Sequence, residues 1–116
     1  METKILISVD GSSTAGRTLE KIITLKEQFP KQLTLLHVVD VEKLAYRMIP
    51  DFQLDMIKAN AGKAGQLVLD DKVTLLEEAG FSIDARLEFG PPRQTICKMA
   101  NDEGFQLMVI GRREST

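Results

Sequence analysis

Residues 4–13, Lys4-Ile5-Leu6-Ile7-Ser8-Val9-Asp10-Gly11-Ser12-Ser13, decide the fold class. The run from Ile5 to Val9 is apolar at successive positions rather than alternate ones, with Ser8 its one polar residue. Such a strand is covered by helices on both faces. Gly11 breaks the run, and Ser12 and Ser13 offer an N-cap to the segment that follows. There Ala15, Leu19, Ile22 and Ile23 recur at i, i+4, i+7 and i+8, the one-sided stripe of an amphipathic helix, which Pro30 closes.

The same alternation continues along the chain. Leu33 to Val39 forms a second doubly covered strand, ending at Asp40. The stretch from Val41 to Pro50 has no clean period and is an irregular excursion. A long helix fits Asp51 to Ala79, with Ile57, Ala61, Ala64, Val68, Leu75 and Ala79 on one stripe that Leu69, Val73 and Leu76 widen. Gly62 and Gly65 weaken its first half, allowing a kink or a late start, and Gly80 stops it. Phe81, Ile83, Ala85, Leu87 and Phe89 then alternate with Ser82, Asp84, Arg86 and Glu88. Strict period two marks a strand with one wet or lightly covered face, which places it at a sheet edge. Gly90-Pro91-Pro92 turns the chain into a helix with Ile96, Met99 and Ala100 on its apolar face, and Gly104 ends it. Leu107 to Ile110 is the fourth strand, apolar throughout, followed by Gly111-Arg112-Arg113-Glu114-Ser115-Thr116.

Strands alternating with helices predict a parallel sheet with right-handed crossovers, and an edge position for the third strand gives the order 3-2-1-4. The 116 residues suffice for one domain, 1–116, with one core and no staples. Apolar residues at 43% and charged residues at 28% describe a globular chain, not a disordered one. A net charge of -2 gives no general pull toward nucleic acid or an anionic membrane. One cysteine precludes an internal disulfide framework. No apolar run approaches the roughly 20 residues of a membrane helix, and no signal-peptide core precedes the first strand, so the expectation is a soluble cytoplasmic protein.

In an open parallel sheet a ligand sits beyond the carboxyl ends of the strands, where the strand order reverses. Here that point lies between strands 1 and 4, at Asp10-Gly11-Ser12-Ser13 and Gly111-Arg112-Arg113. Backbone N–H groups at a helix start suit an anion, and arginine gives phosphate a planar fork. Asp10 can accept hydrogen bonds from a sugar hydroxyl or a base amine, and the end of strand 2 forms a side wall. Plainer readings stand beside these. Asp10 caps a strand end, Gly11-Ser12-Ser13 is a turn, and the two arginines are solvated charge. Neither a Walker A frame nor G-x-G-x-x-G occurs. His37, the only histidine, is a core or rim residue with a backbone partner. Cys97 is a buried inert thiol, Glu77-Glu78 a solvated face, and the methionines packing, with Met48 and Met56 bordering the excursion. No nucleophile, base and oxyanion hole assemble.

The segments Ile5 to Ser12, Leu35 to Asp40, Gly90 to Ala100 and Leu107 to Gly111 resemble, in order and at compatible spacing, the universal stress protein (UspA-like) family. The resemblance implies a Rossmann-like sheet of order 3-2-1-4-5, a homodimer, and a role in stress resistance rather than a defined reaction. One branch of that family binds ATP and another does not. In the binding branch the acid ending strand 1 corresponds to Asp10, and the backbone contact to adenine corresponds to Val38. A phosphate loop G-x2-G-x9-G-[ST] begins at Gly111. The resemblance thus gives a nucleotide set of Ser8, Asp10, Gly11, Val38, Gly111, Arg112 and Arg113, with ATP or AMP as ligand. Two departures stand out. Glu114 replaces the loop's second glycine with a carboxylate that repels phosphate, and the loop's end, last helix and fifth strand do not occur, so the domain reads as C-terminally incomplete. That leaves strand 4 as an apolar edge, expected to be covered by a partner chain or a tail. The expected activity is none, or at most weak ATP hydrolysis. The alternative is a small adenine-nucleotide-handling enzyme such as an adenylyl transferase, whose histidine-bearing phosphate motif is absent. A response-regulator receiver would need paired acids at strand 1.

Overall fold

A computed structural model describes residues 3–40 and 53–112 in full and the helical backbone of residues 51 and 52. The elements run β1 (Ile5–Val9), α1 (Ser13–Thr24), β2 (Gln32–Val39), α2 (Asp51–Glu78), β3 (Ser82–Phe89), α3 (Pro92–Glu103) and β4 (Leu107–Gly111). The four strands form one sheet of order β3-β2-β1-β4, every pair parallel. This is the parallel sheet of order 3-2-1-4 expected from the strand–helix alternation and the edge strand, in the Rossmann-like arrangement that the resemblance implies. The predicted excursion over 41–50, with Met48, lies outside the described residues.

The pleat sorts the residues of each strand between two cores. Ile5, Ile7, Val9, Leu33 and Leu35 meet Ala15, Leu19 and Ile22 of α1 and Leu69 and Leu76 of α2 on one face. Leu6, Leu36 and Val38 meet Ile96 and Met99 of α3 on the other. Right-handed crossovers require this division: two connections step from β1 toward β3 on one face, and the return from β3 to β4 crosses the other.

Several local expectations are corrected. Helix α1 stops at Thr24, and a short 3-10 turn, Lys26–Gln28, precedes Pro30, so proline follows the helix rather than closing it. Helix α2 is continuous through Gly62 and Gly65. Its buried line runs through Gly65, Leu69 and Leu76, whereas Ala64 is exposed. The glycines admit neighbours: a Cβ on Gly65 would stand 3.0 Å from both His37 and Val39. Cys97 is exposed, not buried, because Ile96 and Met99 take the inward side of α3 and Cys97 lies about 100° round from Ile96. Met99 packs in the core, but Met56 and Met108 are exposed.

The β3 edge is tied down by charge. Arg86 donates to both carboxylate oxygens of Glu103, at 2.7 and 3.1 Å, and to Asp84 at 3.2 Å, fastening α3 to the strand. The Glu103 hydrogen bonds, ahead of the charge of Asp84, raise the Arg86 pKa above its ordinary value.

Candidate functional site

The parallel ladder places Val9 level with His37 on one side and with Gly111 on the other. The carboxyl ends of β1 and β4 therefore stand side by side, as the strand order 3-2-1-4 expects. Asp10 and Gly11 leave the sheet beside Gly111 and Arg112, and β2 continues past the last β1–β2 pair to Val39. The result is a notch at the carboxyl edge, with the β1–α1 turn on its floor and β2 as a wall.

Asp10 is held by the turn that follows it. Its Oδ1 accepts a hydrogen bond from the Ser12 backbone N–H at 2.9 Å and another from the Ser12 hydroxyl. This is the side-chain turn that aspartate forms with its own backbone two residues on. Ser12 occupies the N-cap of α1, but its hydroxyl serves Asp10 and makes no capping bond. The plain reading of Asp10 as a strand-end cap is therefore correct locally. It also leaves the carboxylate half-buried at the crevice floor.

The remaining predicted residues divide by position. Gly111 packs so closely on α1 that a Cβ there would lie 3.2 Å from Thr18 and 3.3 Å from the Ser8 carbonyl. Arg112 follows it, half-buried, with a buried Nε that has no partner among the described residues. Val38 is 3% exposed with its side chain in the α3-side core, so only its backbone is available to the notch. Ser8 is fully buried and its Oγ also lacks a partner among the described residues. Gly11 is exposed, with α2 near at hand through Val68. Arg113 and Glu114 lie outside the described residues.

Two further residues support the site: His37, read from the sequence as a core or rim residue with a backbone partner, and Thr18, which the sequence did not single out. The Nδ1 of His37 lies 2.9 Å from the Val9 carbonyl, the backbone partner expected for a rim histidine, and this bond fixes the strand end from which Asp10 emerges. With Nδ1 donating to that carbonyl, the neutral ring keeps its lone pair on Nε2. Thr18 supports Gly111 from below, and its hydroxyl is spent on the Thr14 carbonyl at 2.8 Å. No periodicity argument marks Thr18, because it faces the next strand rather than the helix's own core stripe.

Comparison with known proteins gives a consistent set. The model of the universal stress protein family matches residues 1–116. The chain is 26% identical over 119 residues to universal stress protein YxiE of Bacillus subtilis, covering 97% of this chain and 80% of that protein. It is 28% identical over 129 residues to universal stress protein MJ0577 of Methanocaldococcus jannaschii, covering all of this chain and 80% of that one. The solved structure of MJ0577 superposes with a TM-score of 0.78 at 20% identity, over 100% of this chain and 99% of that chain. A universal stress protein solved in complex with cAMP superposes with a TM-score of 0.58 at 14% identity, over 92% and 70% of the two chains.

Proposed function

The chain belongs to the universal stress protein family, and from that premise we propose that it is a cytoplasmic stress-response protein that holds an adenine nucleotide, ATP or AMP, in the β1/β4 notch. It acts through dimerisation or partner binding, with no catalysis beyond at most weak ATP hydrolysis. The observation carrying this reading is the register of Val9 with Gly111, which brings an acidic turn and a glycine–arginine turn to one crevice. A relative of the same fold, at 14% identity, was solved with cAMP, a ligand that carries an adenine ring.

The roles follow from the chemistry of the groups. The Asp10 carboxylate accepts from a ribose hydroxyl or the base amine. The Val38 backbone reads the purine edge, with Ser8 beneath it. The Gly11 and Gly111 backbones approach the ligand, Gly111 being held in place by its close packing on Thr18. Arg112 and Arg113 neutralise phosphate as planar forks. Binding then biases the population of one conformational or assembly state over another.

Isothermal titration of the chain with ATP and with AMP tests the reading. Binding of either is expected, weakened at least tenfold by Asp10→Ala and only slightly by Ser12→Ala, which removes the turn's one hydrogen bond from the hydroxyl but keeps the backbone bond and the carboxylate. An absence of heat with both nucleotides overturns the nucleotide role and leaves partner binding alone.

A further inference from the structure

We draw no further inference here: the strongest candidate, the pair of buried side-chain atoms without a hydrogen-bond partner among the described residues at the carboxyl ends of β1 and β4, Ser8 Oγ and Arg112 Nε, belongs to the nucleotide notch already described.

Discussion

The two edges of this sheet solve the same problem in opposite ways. β3 alternates, with Asp84, Arg86 and Glu88 on one face and Ile83 and Leu87 against the α2-side core. Two of its charges are engaged, because Arg86 is gripped by Glu103 of α3 and by Asp84. An edge built this way discourages pairing with a foreign strand, since adding one would bury or break those ion pairs. β4 carries no charge between Leu107 and Gly111, and three of its large apolar side chains are about half exposed. Composition alone would rank β4 as the more central strand. Its apolar pattern is that of a strand with neighbours on both sides, and among the described residues only one side has a neighbour.

The contrast is sharpest in what a truncated side chain costs. Leu36 is fully buried in the α3-side core, and Leu36→Ala should destabilise by about 2–4 kcal/mol through lost transfer energy and the cavity left behind. Level with it on that face, beyond Ser8 of β1, Ile110 is 51% exposed, and Ile110→Ala should cost less than about 1 kcal/mol. Urea unfolding at low protein concentration measures both. If Ile110→Ala costs as much as Leu36→Ala, the β4 edge is already covered in solution and the difference between the edges disappears.

The topology was legible because three of the four strands announced their cover. The mainly apolar runs Ile5–Val9 and Leu33–Val39 fall in the interior of the sheet, and the alternating run falls at its edge. What stayed hidden depends on distances between segments far apart in sequence. Gly62 and Gly65 lower helix propensity, which suggested a kink, yet the helix is continuous and the glycines are where strand side chains approach it. Cys97 gives no signal of its own; only the rotation of α3 decides that it faces outward. At the notch, Asp10 and Gly111 could be paired from the strand order, and Arg112 follows from its position. The support from Thr18 could not, since it lies on no stripe and in no motif, and for His37 the sequence implied a backbone partner but not that it is the Val9 carbonyl.

The two glycines of α2 separate a rigid contact from a yielding one. An added Cβ at Gly65 would meet His37, pinned by its bond to the Val9 carbonyl, and Val39, which is 8% exposed. Gly65→Ala should therefore destabilise by about 1–2 kcal/mol, the overpacking cost less the gain in helix propensity. At Gly62 the obstacle is the tip of the Phe89 ring, 2.9 Å from the added Cβ, on a side chain that is 46% exposed at the end of the β3 edge and free to swing. Gly62→Ala should be neutral or stabilising by about 0.5 kcal/mol. Thermal unfolding of the pair tests this, and a Gly62→Ala loss as large as that of Gly65→Ala would show that the β3 end is as tightly held as the interior.

The smallest effect is the charge clamp that distinguishes the β3 edge. Arg86 and Glu103 are 34% and 31% exposed and meet in a bidentate pair, so a double-mutant cycle with Arg86→Ala and Glu103→Ala should give a coupling of about 1 kcal/mol. Because the pair is partly open to solvent, that coupling should shrink in 1 M salt, where the screening length is about 3 Å. The sign of its pH dependence follows from the raised Arg86 pKa. A base whose folded pKa lies above its unfolded value adds stability that persists until the pH rises through the folded value, here above the already strongly basic range of a free guanidinium. The coupling should accordingly be flat between about pH 7 and pH 10. A coupling that fell over that interval would mean a group other than Arg86 carries the charge holding α3 to β3. The ordered edge would then owe its closure to something besides the ion pair that sets it apart from β4.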